Sequence, residues 1–410
     1  MAMRLRAIGQ RSTTVRRSNL SAIVGELHAT GPLSRSDLVA RTGLTRTAIR
    51  ALIAEFVIAD LVTEERSEPL GSPGRPSPLV RLNPTGAVVL ALEIAVDSLA
   101  AALVGLGGDV IDCARVQRPR GRTSVDEVVE SLLELAAPLR ARPEAETLIG
   151  VGVAVAGLVR REDGFISTAP NLGWRNVPLG ERLAAEFGES MPIAIANEAD
   201  LGAVAELRRG AARGSDDLLY ISGEVGVGGG LIVGGRPMSG AAGFGGEIGH
   251  LPLNPDGRPC HCGSVGCWET EVGEEALLRL AGRVPDGGWS EVEAVLDDAR
   301  AGAPVALAAF DQVGRWMGIG VAGLINVLNP RLIVLGGLFG RIHPFVAAAI
   351  DREVAWRALA APLALVSIVP GQLGVDAPLR GAAELAFEPM LADPAAWMRP
   401  RPSLAQLASA

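Results

Sequence analysis

The apolar positions near the start of the chain follow a helical spacing. In SNLSAIVGELHATG, residues 18–31, they recur three and four positions apart until a Gly-Pro pair ends the pattern. The following stretch, residues 33–62, predicts two more helices separated by Gly43, with Ser34 and Thr45 at the expected N-cap positions. The second of these keeps the helical spacing with the apolar residues Ile49, Leu52, Ile53 and Phe56.

A short helix, a glycine-containing turn and a second helix are the parts of a helix-turn-helix. Arg46, Thr47 and Arg50 lie on the polar side of the second helix near its start. Side chains at such positions reach base edges or phosphates in the major groove of DNA. Small three-helix elements with ordinary surface arginines show the same spacings, so this pattern alone leaves a purely structural role open.

A loop rich in proline and glycine follows, between two short strand-like pieces in residues 62–84. This is typical of the wing of a winged helix, and we expect Arg75 in its GRP tripeptide to enter a minor groove. The charge distribution favours the same interpretation. The first 82 residues hold 12 arginines and 7 acidic residues, which gives this segment a net charge of +5. Because the whole chain has a net charge of −8, the remaining residues carry −13. A basic head on an acidic body predicts that double-stranded DNA contacts the head alone.

From Asn83 onward, apolar runs of strand length alternate with helical stretches. The strand candidates include AVVLALEIAV, TLIGVGVAVAGLV, DLLYISG and RLIVLGG, and the helical candidates include VDEVVESLLELAAPLR and VALAAFDQVGRWMGIGVAGLINVL. Such alternation predicts an α/β body of parallel sheet and crossover helices, in two lobes with a cleft between them. Ligands commonly bind in such clefts, at the carboxyl ends of strands.

Composition places the chain among soluble proteins of more than one domain. It has 410 residues, 48% of them hydrophobic, with 51 glycines and 27 prolines. The apolar runs are too short or too interrupted to span a bilayer, and the first residues contain no hydrophobic signal core, so we expect a cytoplasmic protein without membrane association. Its cysteines should stay reduced there, and Cys113, in a strand-like segment, is predicted to be a buried thiol.

Three of the four cysteines and two of the four histidines fall within residues 249–269, GHLPLNPDGRPCHCGSVGCWE. The spacing of the candidate ligands is His250-x9-Cys260-x-Cys262-x4-Cys267. Three thiolates and one imidazole fill a tetrahedral zinc site and leave no open position, which indicates a structural rather than a catalytic metal. The odd number of cysteines within this cluster and the reducing compartment disfavour a disulfide. His261, between two of the cysteines, is the alternative to His250.

The run ISGEVGVGGGLIVGGRPMSGAAGFGGEIGH, followed by this cysteine cluster, resembles the signature of the ROK family of repressors, open reading frames and sugar kinases. The resemblance covers about residues 84–388. It implies two actin-like, ribonuclease-H-like lobes that close on a sugar, with zinc at the four positions named above. Repressors of the family carry an N-terminal winged helix and its kinases do not, so the predicted head matches the branch that contains xylose and N-acetylglucosamine repressors.

The same resemblance indicates that three elements of the kinases are altered. Their Asp-x-Gly-Gly-Thr phosphate loop stands here as EIAVD, residues 93–97, without the glycines and with a carboxylate in place of the hydroxyl. The second phosphate loop has Val225 in place of threonine, and Glu198 replaces the catalytic aspartate. Glutamate is one methylene longer, about 1.5 Å, enough to disturb in-line transfer. Kinase activity is therefore not expected.

Sugar contacts are implied by the resemblance at Asn197, Glu198, Glu247, His250 and Glu269, with Asn171 in the same wall. Carboxylates beside neutral donors suit polyols, because each hydroxyl both donates and accepts. One imidazole nitrogen of His250 would bind zinc while the other faces the sugar. Glu224, in contrast, is interpreted as a solvated surface charge.

These patterns predict a winged helix-turn-helix domain at residues 1–82, a two-lobed ROK domain at 83–390 with a zinc knot at 250–267, and a tail at 391–410. The predicted protein is a sugar-responsive transcriptional repressor without enzyme activity. It would bind an operator in double-stranded DNA and a small sugar or sugar phosphate, as a homodimer or homotetramer. Two alternatives stay open: an ATP-dependent sugar kinase with an added DNA-binding head, and a regulator controlled by a protein partner.

Overall fold

The computed structural model describes residues 12–65, 77–121 and 123–398. Its N-terminal domain consists of α1 (Ser12–Thr30), β1 (Leu33–Ser34), α2 (Arg35–Thr42), α3 (Arg46–Ile58), β2 (Val62–Glu65) and β3 (Leu79–Leu82). The three strands form a small sheet in the order β1-β3-β2. Helices and sheet together form the predicted winged helix-turn-helix, while Arg75 lies outside the described residues.

Local side-chain chemistry sets the helix boundaries of this domain. Ser34 forms a capping box with Asp37, in which the Ser34 hydroxyl accepts from the Asp37 backbone N–H and the Asp37 carboxylate accepts from that of Ser34. Gly43 ends α2 with a left-handed φ of 70°. Thr45 then caps α3 by accepting from the N–H of Ala48. The apolar residues predicted for the inner face of α3 are all buried.

The first lobe is built around a five-stranded sheet in the order β11-β7-β4-β5-β6. Its elements are β4 (Val88–Ile94), β5 (Ser98–Gly105), β6 (Val110–Gln117), α4 (Val125–Arg140), β7 (Leu148–Val155), β8 (Leu158–Arg160), β9 (Phe165–Ala169), β10 (Trp174–Pro178), α5 (Leu179–Phe187), β11 (Ile193–Asn197) and α6 (Glu198–Arg209). The strands β8, β9 and β10 form a separate small antiparallel sheet.

The sheet of the second lobe has the order β14-β13-β12-β15-β16. This is the same order as in the first lobe when that sheet is read from β6 to β11, with the first strand of the lobe in the centre. Its elements are β12 (Leu218–Gly223), β13 (Val227–Val233), β14 (Arg236–Pro237), α7 (Glu269–Val272), α8 (Glu274–Leu280), α9 (Gly288–Arg300), α10 (Pro304–Leu328), β15 (Leu332–Gly336), α11 (Gly337–Arg357), α12 (Ala360–Leu363), β16 (Ser367–Pro370) and α13 (Ala377–Ala392). No helix of the described residues has the length and hydrophobicity needed to cross a membrane.

Both sheets are mixed, whereas the sequence pattern predicted parallel ones. β5 returns antiparallel to β4 after residues 95–97, and β13 returns antiparallel to β12 after residues 224–226. Three residues cannot hold the crossover of a dozen or more residues that a parallel connection needs. Parallel pairing is found where longer connections intervene, between β4 and β7 and between β12 and β15.

Cys113 is exposed, so the prediction of a buried thiol is wrong. The residue lies on β6, which is the edge strand of the first sheet. The residues of β6 are partly or fully exposed along its whole length, because this edge of the sheet is incompletely covered. An apolar-looking strand pattern did not distinguish this edge position from a central one.

One apolar core joins the N-terminal domain to the first lobe. Leu20 and Ile23 of α1 belong to the same buried cluster as Ala91 of β4 and Phe387 of α13. Residues 391–398, all of which were assigned to the tail, continue this packing, with Leu391 and Trp397 partly buried against the cluster. The head is therefore docked on the lobe through a continuous interior.

Candidate functional site

A cavity of about 580 Å³ lies between the two lobes. Residues at the carboxyl ends of β4, β7, β11 and β12 contribute to its walls. The structure brings all six predicted sugar-binding residues to this cavity: Asn171, Asn197, Glu198, Glu247, His250 and Glu269. Their contact with a sugar remains a prediction, but their convergence from distant parts of the sequence is a property of the fold.

Asn197 connects three parts of the first lobe at the cavity wall. It ends β11 and caps α6, where its Oδ1 accepts from the Ala199 N–H at 2.7 Å. Its Nδ2 donates to the carbonyl of Gly157, after β7, at 2.9 Å. This side chain therefore fixes the first turn of α6 and presents Glu198, the first residue of that helix, to the cavity.

The Glu198 carboxyl lies among other acids. Burial, followed by the charges of Glu93, Asp97 and Glu247, raises the pKa of Glu198 to about 8. The N-terminus of α6 favours a negative charge, but this effect is smaller than the desolvation. Near neutral pH the group is mostly protonated, so it can donate a hydrogen bond to a sugar oxygen but is poorly suited to accept a proton from a hydroxyl.

Glu224 also lines the cavity, so its interpretation as a solvated surface charge is wrong. It lies in the turn between β12 and β13, and burial together with Glu198 and Glu93 raises the pKa of its carboxyl well above the ordinary range. The glycine run that follows it allows the tight return of β13 and thereby turns Glu224 inward. Its place at the carboxyl end of a strand was the signal that could have identified it.

An ionic bridge that no sequence motif indicated spans the cleft. Arg120 donates to Asp97 of the first lobe at 2.8 Å and to Glu274 of the second lobe at 2.6 Å and 2.9 Å. The hydrogen bonds that Arg120 donates to Glu274 and Asp97 raise its pKa despite its partial burial. Asp97 stands where the resemblance predicts the hydroxyl of a phosphate loop, and paired side chains occupy this end of the cleft.

The four predicted metal ligands converge. One ligand atom from each of His250, Cys260, Cys262 and Cys267 lies within 4.8 Å of all the others. Cys260 Sγ lies 3.7 Å from His250 Nδ1, and the Sγ atoms of Cys262 and Cys267 are also 3.7 Å apart. Tetrahedral zinc–sulfur bonds of about 2.3 Å would place two sulfurs about 3.8 Å apart. This group could therefore hold a metal ion.

The backbone around the cluster is shaped by short antiparallel bridges, which pair Pro252 with Cys267 and Pro259 with Val265. Gly266 has a φ of 72°, and a Cβ atom there would lie 1.6 Å from the Asn254 carbonyl oxygen. Only glycine allows this approach. The local backbone fold therefore positions these four side chains without any contact from a ligand.

The imidazole of His250 lies between the cluster and the cleft. Its Nδ1 faces Cys260, while its Nε2 lies 3.9 Å from Glu247 Oε2 at the cavity wall. The ring thus lies between the cysteines and the cavity, and its contacts with zinc and with a sugar remain predictions. His261 lies outside the four-ligand group, and its Nδ1 is 3.3 Å from Asn171 Oδ1.

The predicted DNA-contacting side chains share the outer face of α3. Arg46, Thr47 and Arg50 are all exposed at its N-terminal half. Neither arginine forms an ion pair with any residue in the described ranges. Cations without an internal partner are available to phosphates, although contact with DNA remains a prediction.

A model of the ROK family matches residues 89–388. The chain belongs to the ROK family. Among its relatives, a xylose repressor from Bacillus spizizenii is 28% identical over 382 residues, covering 92% of this chain and 97% of the repressor. Family and fold class are therefore as the sequence predicted.

Two solved structures of ROK proteins are similar to this chain, one of a regulator and one of a kinase. A ROK family transcriptional regulator, a homolog of the E. coli MLC protein, has a TM-score of 0.73 at 25% identity and covers 94% of this chain and 97% of its own. A ROK family glucokinase from Streptomyces griseus, in complex with glucose and AMPPNP, has a TM-score of 0.66 at 28% identity and covers 74% of this chain and 100% of its own. This ROK protein is thus similar to regulators and to kinases.

The pKa of Glu198 predicts a pH-dependent effect of Glu198→Gln in this ROK protein. Because folding raises the pKa from 4.5 to about 8, the folded state holds the proton more tightly and loses stability as the pH rises between these values. The melting temperature of the variant should exceed that of the wild type by a margin that grows from pH 4.5 to pH 8 and then levels off. Glu189→Gln, at an exposed position, is the control. A margin independent of pH would contradict the prediction.

Proposed function

We propose that this chain is a sugar-responsive transcriptional repressor, in which α3 binds an operator in double-stranded DNA and a sugar in the cleft changes the affinity for that operator. The extent of similarity carries the proposal. The xylose repressor covers 92% of this chain and the solved regulator 94%, whereas the glucokinase covers only 74% although its whole length is matched. The winged helix-turn-helix with three exposed polar side chains on α3 supports the same function.

The absence of kinase activity is part of the proposal. Arg120 pairs with Asp97 and Glu274 at the end of the cleft where the kinases bind phosphate. A nucleotide would have to break these bonds and approach two carboxylates, which is electrostatically unfavourable. The protonated Glu198 at the position of the catalytic base supports the same conclusion.

The similarity to a glucokinase makes sugar phosphorylation the second candidate function. The cavity is large enough for a sugar and is lined by the six residues for which the resemblance predicts sugar contacts. A kinase would need Arg120 to swing away from both partners. The experiment below therefore includes a test for turnover.

We further propose that the His250, Cys260, Cys262 and Cys267 group holds a structural zinc ion. The distances and the donor set fit tetrahedral coordination without an open position. The metal would fix the His250 ring, whose Nε2 side faces the cleft near Glu247. A homodimer or homotetramer, which remains a prediction, would present two recognition helices to a two-fold operator.

The function is tested by measuring operator affinity with and without sugar. An operator selected from a random duplex library should bind the wild-type protein, and its affinity should fall as salt rises and change with one sugar of a panel of hexoses, pentoses and amino sugars. Replacing both Arg46 and Arg50 by alanine should weaken operator binding at least about tenfold, because each removes a phosphate or base contact. Sugar binding by calorimetry should be unaffected.

Arg300→Ala, at an exposed position of the second lobe, is the matched control and should leave operator affinity unchanged. Unchanged DNA affinity in the double variant would refute the assignment of α3. Sugar-dependent release of ADP from ATP and magnesium would refute the non-enzymatic function. If no sugar binds, control by a protein partner becomes the better explanation.

Removal of one metal ligand should affect both zinc and sugar. The purified protein should contain one zinc ion per chain by elemental analysis, and Cys262→Ser should lose most of it. Sugar affinity should fall in parallel, because the unanchored His250 ring no longer has a fixed orientation. Cys113→Ser, the fourth cysteine and exposed on β6, should retain both zinc and sugar affinity. Wild-type sugar affinity in a zinc-free protein would contradict the coupling.

A further inference from the structure

Carboxylates predominate among the polar groups of the cleft. Seven line it: Glu93, Asp97, Glu198, Glu224, Glu247, Glu269 and Glu274. Two arginines line it as well, but each already contacts an acid. Arg115 pairs with Glu93 at 2.9 Å, and Arg341 pairs with Glu293. Among the lining residues that the structure describes, neither guanidinium is therefore free of an acidic partner.

Arg120, beside the cleft, is not available to an anion either, because its guanidinium is divided between Asp97 and Glu274. The Glu274 side chain is only 4% exposed, so its charge depends on that partner. Glu198 and Glu224 form no ion pair within the described ranges, and their raised pKa values have neighbouring acids among their causes. Protonated carboxyls can donate to sugar oxygens and accept from sugar hydroxyls, whereas a phosphate dianion would lose its hydration in the cleft without gaining a cationic partner.

We propose that the cleft binds an unphosphorylated sugar, neutral or carrying an amino group, and that the Asp97–Arg120–Glu274 bridge excludes phosphate esters and nucleotides. This inference rests on the proposed function, since it concerns the effector of the same cleft. It narrows the predicted effector from a sugar or sugar phosphate to the unphosphorylated class. It also assigns Arg120, outside every recognised motif, to the selection of the ligand.

Calorimetry on the full chain tests this selection with matched ligands. D-Xylose, D-glucose, N-acetyl-D-glucosamine and D-glucosamine are compared with the phosphate monoester of each. We expect at least one parent sugar to bind and its ester to bind about 100-fold more weakly, because the dianion would be desolvated without a free cationic partner. Glu274→Gln frees one side of Arg120 and should narrow that ratio at least about tenfold.

Glu275→Gln is the matched control, because this neighbouring residue does not line the cleft. Asp97→Asn removes the other partner of Arg120 and should act like Glu274→Gln, which guards against a folding defect in either variant. An ester that binds the wild type as tightly as its parent sugar would overturn the inference. Equal ligand ratios in Glu274→Gln and Glu275→Gln would do the same. If none of the ligands binds, the proposed function itself fails.

A second inference comes from a buried polar network between the DNA-binding domain and the first lobe. Glu384 of α13 accepts from Arg209 Nε at 2.8 Å, and its other oxygen lies 2.9 Å from His28 Nε2. The side chains of His28 and Glu384 are 2% and 5% exposed. Although burial disfavours the charge, the hydrogen bonds and charges of His28 and Arg209 lower the pKa of Glu384 to about 2. The Glu384 carboxylate is therefore ionised, and its partners in the interior compensate its negative charge.

The network also holds the backbone of the two units together. Arg209 Nη1 donates to the carbonyl of His28 at 2.7 Å, and the Gly107 N–H donates to His28 Nδ1 at 3.2 Å. A Cβ atom at Gly108 would lie 2.5 Å from the Arg209 guanidinium carbon. The β5–β6 turn thus closes directly over the network, and α1 is fixed to both α6 and α13.

Helix α6 carries Arg209 at its end and Glu198 at its beginning. Its 12 residues are one rigid rod, about 18 Å long. Asn197 ties the beginning to the cleft, and Arg209 ties the end to α1 of the DNA-binding domain. A shift of α6 caused by a ligand at Glu198 would therefore reach the DNA-binding domain through Arg209.

We infer that the Arg209–Glu384–His28 network couples occupancy of the cleft to the DNA-binding domain. The inference also rests on the proposed function. It is tested by the ratio of operator affinities without and with the panel sugar that binds most tightly. In Arg209→Gln this ratio should fall towards one, while the affinity for the sugar alone changes less than about threefold.

Arg208→Gln is the matched control, because its side chain is exposed on the adjacent position of α6. His28→Gln removes the acceptor for Gly107 from the opposite side of the network and should reduce the ratio as well. A wild-type ratio in Arg209→Gln or in His28→Gln would overturn the inference. A wild-type protein whose operator affinity no sugar changes would instead overturn the proposed function.

Discussion

The continuous apolar core between α1, the first sheet and α13 is the constraint on which the rest of the structure depends. Leu20, Ile23 and Phe387 are fully buried within it. Burial of this kind favours one docking geometry, because close-packed interiors do not deform continuously. The N-terminal domain therefore cannot reorient freely on the lobe. Any response to a ligand must move packed helices rather than swing the head on a linker.

The repeated strand order explains where the cleft forms and why acids meet in it. The first two strands of each sheet are joined by a three-residue turn, at 95–97 and at 224–226, and residues of both turns line the cavity. Asp97 ends the first of these turns and Glu224 begins the second, so turns at the same place in the two lobes bring both acids to the cavity.

Features determined by neighbours in sequence could be predicted closely. Ser34 and Thr45 cap the helices they were expected to cap, and the cysteine spacing predicted the ligand cluster. The length of a turn and the position of a strand at the edge of a sheet could not be predicted from the apolar periodicity. For this reason the sheets were expected to be parallel and Cys113 was expected to be buried. Periodicity reports which residues are apolar, but not which strand forms the edge of a sheet.

The polar interior was the least predictable part. Arg120 and Glu274 are far apart in sequence and belong to no motif, so only the closed cleft brings them together. His28 was indistinguishable from a surface residue of an amphipathic helix until its partner Glu384 was located. Long-range ion pairs depend on the arrangement of whole lobes, and no local pattern of residues encodes that arrangement.

The placement of the tryptophans gives the molecule natural optical reporters. Of the six in the chain, Trp289 lines the cleft and Trp397 packs against the core that holds the N-terminal domain. Trp268 is fully buried beside Cys267 of the candidate metal group, and its indole N–H donates to the Trp316 carbonyl. Intrinsic fluorescence can therefore follow the cleft, the metal cluster and the docked head without a label, and single substitutions can separate the three signals.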